Sequence, residues 1–194
     1  MSEKESHRER ILDAATLVMQ QSGLAHATTK LIAQQAGFSE AMLYRSFADK
    51  QEIYVAVLKE RLGGLDDPDD LVGRRDVDEN LVDLTRQLMQ FYVRTFPLSA
   101  SIFGSPALVV AWREGMTEKG RGPRSLAKIV ERYLDGEIEI GRLDRDTDAF
   151  AVAALLCGSA FQHAFFACFD GLPGVPDEQK LAERLVTAAL TKIQ

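Results

Sequence analysis

Cysteine, tryptophan and histidine are scarce in this 194-residue chain, with two, one and three copies. Cys157 and Cys168 stand eleven residues apart in what reads as one helix, a rise of about 16 Å. A disulfide needs Cα atoms about 4.4 to 6.8 Å apart, so the two read as buried apolar thiols. There is no Gly-x-Ser-x-Gly elbow and no phosphate loop, and Gly120-x-Gly122 lacks both a third glycine and a preceding strand. Catalysis therefore finds no support, and no cofactor is expected. The acidic run at residues 66–70 contains Pro68 and lacks the loop glycine and terminal glutamate of a calcium loop, so it reads as a solvated linker and no metal is expected. The first ten residues are too polar for a secretory signal, which makes a cytoplasmic chain the expectation.

Nor is there a tract of low complexity, and 46% apolar against 27% charged residues excludes disorder as the main state. A chain of this length buries about 70% of its unfolded surface without metals or disulfides. The net charge of −6 is unevenly placed: residues 1–62 carry eight basic and eight acidic side chains, so the excess acid belongs to residues 63–194. DNA affinity would have to come from a few placed cations and backbone amides rather than a broad positive field.

No stretch alternates with period two, whereas helical periodicity runs almost throughout, which predicts an all-α protein of about nine helices. The first helix, residues 4–21, turns Ile11, Leu12, Ala15, Leu17, Val18 and Met19 inward and stops at Ser22-Gly23. Thr28 or Thr29 caps residues 30–36, Gly37 breaks that helix, Ser39 caps 40–47, and Asp49 starts 50–61. Residues 63–70 read as a linker. Beyond it, Asp76 and Glu79 resemble a capping box for a helix ending near Thr95, with further helices at 101–116, 125–140, 147–170 and 177–193. The division is a small three-helix domain at 1–62 and a larger helical bundle at 63–194.

Residues 28–47 have the form of a helix-turn-helix, with Ile32, Ala33, Ala36, Phe38, Leu43 and Phe47 inward and Gly37 at the turn. Ser39, Glu40, Ala41, Tyr44 and Arg45 remain outside. Arg45 can reach guanine O6 and N7, Ser39 and Tyr44 can donate to phosphates or base edges, and Ala41 can touch a thymine methyl. Thr29 and Lys50, at helix starts, are placed for phosphates.

The run Ile11-Leu12-Asp13-Ala14-Ala15, then Gly23, Thr28-Thr29-Lys30-Leu31-Ile32-Ala33-Gln34-Gln35-Ala36-Gly37-Phe38-Ser39, Leu43-Tyr44-Arg45-Ser46-Phe47 and Lys50 resembles the DNA-binding domain of the tetracycline-repressor (TetR) family over residues 8–58. The resemblance implies a homodimeric one-component transcription regulator, usually a repressor, whose C-terminal body binds a small molecule and dimerises through its last two helices. By position it implies DNA contacts from Thr29, Ser39, Glu40, Ala41, Tyr44, Arg45, Ser46 and Lys50. Ser46 stands where many members have His, which weakens one phosphate contact. Glu40 stands where a basic or neutral residue is common; a carboxylate there either accepts from cytosine N4 or serves the helix N-terminus.

Residues 149–169 are uncharged for twenty-one positions, long enough to cross a bilayer. Seven are alanine, and Gly158, Ser159, Gln162 and His163 sit in the middle, which fits a helix covered on two sides by its own body and a partner chain better than a membrane span. Ala154, Gly158, Phe161 and Phe165 here, with Leu181, Leu185, Val186 and Ala189 on the last helix, form the expected four-helix dimer interface. Leu88, Met89, Tyr92, Phe96, Phe103, Trp112, Met116, Phe161, His163 and Phe165 are candidates to line an effector cavity, although core packing accounts for most of them equally well. The function so read is ligand-responsive binding of a double-stranded, pseudo-palindromic DNA operator, with release by a small, mostly apolar effector. Alternatives are a regulator without a small-molecule effector and a helical ligand-binding protein without DNA binding.

Overall fold

In a computed structural model of the protein, which describes residues 3–60, 65, 67–117 and 122–191, the described residues form ten α-helices and no strand. They belong to two compact units, Met1–Gly63 with Arg94–Gly122, and Gly64–Val93 with Pro123–Gln194.

In the first unit α1 (Glu3–His26) packs on α2 (Thr29–Ala36), α3 (Glu40–Ser46) and α4 (Lys50–Glu60). Ile11, Leu12, Ala15, Val18 and Met19 of α1 are buried, but Leu17 is 45% exposed, because a stripe at i, i+3, i+4 that holds Ala15 and Met19 inward rotates it out. The expected stop at Ser22-Gly23 is a kink: Gly23 has φ 71° and ψ 164°, and helix resumes to His26. Ile32, Leu43, Phe47, Ile53, Tyr54 and Val57 complete this core. Each fully buried aliphatic or aromatic side chain contributes about 1.5 to 3 kcal/mol.

The acidic linker is shorter than expected, since Asp67 accepts from the amide of Asp69 and Pro68 occupies the first turn of a four-residue helix, α5 (Pro68–Leu71). This element raises the helix number from nine to ten. Residues 63, 64 and 66 of the expected linker lie outside the described residues. Next comes α6 (Val77–Phe103), which does not end near Thr95 but continues through Pro97. An internal proline costs about 3 kcal/mol, and here buried Thr95 and Ile102 flank it. The break falls instead at Gly104-Ser105, before α7 (Pro106–Thr117), which packs on α4. The expected capping box does not form as such; the Glu79 carboxylate pairs with Arg75 at 3.3 Å.

The second unit holds the first part of α6 with α8 (Ser125–Glu139), α9 (Ala149–Phe169) and α10 (Glu178–Leu190). Leu81, Leu88, Met89, Val130, Leu134, Leu156, Ala160 and Val186 are among its core residues. Within this apolar interior lies a polar group. The Asn80 amide donates to the carbonyl of Arg74 at 2.9 Å and to the Tyr133 hydroxyl at 3.0 Å. Glu137, fully buried, accepts from the amide of Gly73 at 3.1 Å and lies 3.3 Å from the Arg142 guanidinium. Arg142 in turn donates to the carbonyl of Arg75. Burial raises the Tyr133 hydroxyl above its ordinary pKa; its bond from Asn80 opposes this and the neighbouring Glu137 carboxylate adds to it. The network ties the turn before α6 to α8.

Candidate nucleic-acid interface

Two short helices and a glycine turn build the candidate surface. The Thr28 hydroxyl accepts from the amide of Leu31 at 3.2 Å and caps α2. Gly37 closes the helix with φ 71° and ψ 33°, where its amide reaches Gln34 O and the amide of Phe38 reaches Ala33 O. A Cβ on Gly37 would also stand 3.4 Å from Arg10 Nη2. Gly37→Ala is expected to lower stability by about 1 kcal/mol, read as a lower urea midpoint at unchanged slope. A midpoint equal to wild type would mean that the turn tolerates a left-handed alanine.

Ser39 has the extended backbone of an N-cap but makes no side-chain cap bond, which corrects the expectation that its hydroxyl starts α3. Leu43 and Phe47 are buried, so Glu40, Ala41, Tyr44 and Arg45 face outward with Tyr44 half exposed, and Ser46 is half-buried. Thr29 donates its hydroxyl to Glu40 at 2.8 Å. At the start of α4, Asp49 accepts from the amide of Glu52 while Glu52 accepts from the amide of Ala48, a reciprocal cap. Lys50 holds its ammonium 5.0 Å from the centre of the Tyr54 ring. The Tyr54 hydroxyl donates to Ala27 O. The structure thus gathers Thr29, Ser39, Glu40, Ala41, Tyr44, Arg45, Ser46 and Lys50 on the helix-turn-helix and the helix start that follows it.

Two positioning residues escape a reading of the sequence. Arg10 donates to Ala36 O at 2.9 Å and lies 4.4 Å from the Phe38 ring centre, so α1 holds the turn between α2 and α3. Arg8 makes a two-pronged bond to Glu60 at 2.7 and 2.8 Å and lies 5.3 Å from the Phe47 ring, and the bond to Glu60 raises its pKa. Their partners are 26 and 52 residues away, a distance at which local pattern carries no signal.

The candidate effector residues are divided between the two units. Leu88 and Met89 are fully buried in the core of the second unit. Tyr92 meets Phe161 edge to face at 5.3 Å. Burial together with Cys157 raises the Tyr92 hydroxyl, and burial pushes the Cys157 thiol up to about 12. His163 lines a groove of about 400 Å3 with Phe166, Leu172, Val175, Lys180 and Arg184. Phe96, Phe103 and Trp112 belong to the first unit, where Phe103 and Trp112 meet edge to face at 6.0 Å. The Trp112 indole nitrogen is buried with no hydrogen-bond partner among the described residues. The side chain of Met116 lies outside the described residues.

Both cysteines are free; Cys157 is buried, but Cys168 is only half-buried, near Val93 O at 3.7 Å. One face of α9 packs inward through Val152, Ala153, Leu156, Cys157, Ala160 and Ala164. Its other face is exposed at Ala154, Leu155, Gly158, Phe161, Phe165, Phe166 and Phe169. By length and composition alone α9 could cross a membrane, with a mean hydropathy of 1.6. On α10, Leu181, Leu185 and Ala189 are partly buried. Val186, expected at a partner interface, is 1% exposed and belongs to the subunit's own core, because it falls on the α10 stripe with Ala182.

Residues 11–57 match the family described as Bacterial regulatory proteins, tetR family. The fatty acid metabolism regulator protein of Bacillus subtilis is 32% identical over 63 residues, 32% of either chain, so this protein spans about a third of the length of that relative. Over nearly the whole chain the fold resembles two solved structures. One is a TetR transcription regulator from Haloarcula marismortui, at a TM-score of 0.72 and 19% identity, covering 96% of this chain and 97% of that one. The other is the regulator FadR from Bacillus subtilis in complex with stearoyl-CoA, at 0.68 and 17%, covering 96% and 99%. Both are described as transcription regulators.

Proposed function

We propose that this chain, whose residues 11–57 match the tetR family of bacterial regulatory proteins, is a cytoplasmic homodimeric repressor which binds a pseudo-palindromic operator and leaves it when a small, mostly apolar effector binds. The observation that carries this reading is α3: two buried anchors, Leu43 and Phe47, hold it in place, while Glu40, Ala41, Tyr44 and Arg45 face outward. A helix so held fits a major groove, with Arg45 on a guanine edge and Lys50 beside a phosphate. Residues 1–62 carry the DNA contacts, and residues 63–194 serve effector binding and dimerisation.

The exposed apolar face of α9 supports a dimer, since Ala154, Gly158, Phe161 and Phe165 would meet their copies, with Leu181, Leu185 and Ala189 of α10 beside them. The effector reading is supported by the α6–α7 aromatics Phe96, Phe103 and Trp112, where the indole nitrogen can donate to a ligand acceptor. Because α7 packs on α4, a ligand there can displace the last helix of the DNA-binding domain. Coupling of this kind amounts to about 1 to 3 kcal/mol and is reciprocal, so operator DNA weakens the ligand by the same factor.

The test is anisotropy titration with a duplex selected from a random pool. Lys50→Ala is expected to weaken operator and random DNA alike and to reduce the salt slope by about one unit, whereas Arg45→Ala loses about 1 to 3 kcal/mol on the operator and relaxes one position. Equal losses on both DNAs for Arg45→Ala would move that residue to the phosphate contacts. FadR was solved with stearoyl-CoA, which makes a long-chain acyl-CoA the first effector probe. A compound that quenches Trp112 fluorescence without changing operator affinity would sink the coupling.

A further inference from the structure

We infer that Glu40 is the residue that selects a cytosine at one position of each half-site, and that Thr29 positions its carboxylate for this purpose. The inference rests on the reading of α3 as the groove-facing helix. Thr29 Oγ1 stands 2.8 Å from Glu40 Oε2 across the helix-turn-helix, at the first residue of α2 and the first residue of α3. A hydroxyl has one proton. Given to Glu40, it is withheld from a phosphate, so this pair exchanges a sequence-blind contact for an oriented acceptor. An ionised carboxylate only accepts, and it has two oxygens. Oε2 is held by Thr29, and among the described residues no cation pairs with the group, which leaves Oε1 of the exposed side chain for a donor from outside.

The major groove offers two kinds of donor, the N4 amino group of cytosine and the N6 amino group of adenine. Adenine carries the N7 acceptor beside its donor, and guanine and thymine present O6, N7 or O4 acceptors, all of which repel a carboxylate. Cytosine alone presents a donor without an adjoining acceptor on the same base. Ala41 and Tyr44 share the outward face and carry no charge, and Arg45 on that face makes no ion pair with Glu40 among the described residues, so the carboxylate is not neutralised against the phosphates. The carboxylate therefore weakens binding to DNA in general and restores it where a cytosine stands opposite.

Duplexes selected from a random pool by the full-length protein and by Glu40→Gln, Thr29→Val and Thr29→Ser test this. Wild type is expected to enrich cytosine roughly five- to tenfold at one fixed position per half-site. Glu40→Gln replaces it by adenine, which an amide can meet as both donor and acceptor, and binds random duplex severalfold more tightly. Thr29→Val, near-isosteric but without the hydroxyl, lowers the cytosine enrichment while the rest of the selected site stays the same, and Thr29→Ser restores it. If Glu40→Gln selects the wild-type sequence and only binds everything more tightly, the carboxylate merely repels phosphate and the inference is overturned. An unchanged enrichment in Thr29→Val overturns the positioning half. Selection of no sequence by wild type would overturn the proposed function itself, a result distinct from both.

Discussion

Gly158→Arg is expected to convert the protein into a folded monomer that no longer holds its operator. Gly158 is exposed on α9, and a Cβ there would meet nothing within 4 Å, so the subunit itself has room for a larger side chain. Leu155, Phe161, Phe165 and Phe169 surround that position on the same outward face. In an α9-to-α9 contact the new guanidinium would be buried against apolar side chains with no counter-charge, at a penalty of several kcal/mol. A dimer binds two half-sites at once, and losing the second lowers overall affinity by about 10² to 10⁴ without altering any contact of α3. Sedimentation should give a monomer, circular dichroism an unchanged helix content, and a single half-site duplex the same affinity as wild type. A variant that still sediments as a dimer would place Gly158 outside the interface.

Glu137→Ala carries the largest expected loss of stability, about 3 to 5 kcal/mol. Glu137 is fully buried, and its removal leaves the amide of Gly73 without its acceptor and the Arg142 guanidinium without its counter-charge, held only by the carbonyls of Arg74 and Arg75. Glu137→Gln keeps an acceptor for Gly73 and gives up the charge opposite Arg142, so it should cost about 1 to 3 kcal/mol, intermediate between alanine and wild type. Urea unfolding with an unchanged slope would measure both. A loss under about 1 kcal/mol for the alanine variant would mean that water restores the network.

What could be read along the chain is what depends on neighbours a few residues apart. Thr28 and Gly37 bound α2 because a hydroxyl cap and a left-handed glycine act within one turn, and both are where the pattern puts them. Leu43 and Phe47 face inward because four residues make about one helical turn. The same local chemistry marked Asp49 as the start of α4. It also placed Glu40, Ala41, Tyr44 and Arg45 on one outward face, so most of the candidate DNA surface was legible before any coordinates.

Tertiary structure decided the rest, and in each case the deciding contact joins residues far apart in sequence or depends on which side of a helix is covered. A lone Pro97 predicts a helix end, yet α6 runs through it between buried Thr95 and Ile102. Leu17 and Val186 look alike as apolar positions, but which stripe of each helix is covered decides that one turns outward and the other joins the core. A charged Glu137 on α8 gives no sign of being buried until Arg142 and the turn at Gly73 enclose it. Arg8 and Arg10 read as ordinary surface cations of a polar N-terminal segment until Glu60 and Ala36 come within reach. The bond from Thr29 to Glu40 was hidden for the same reason: eleven residues apart, they meet only because the turn at Gly37 folds α3 back beside the start of α2.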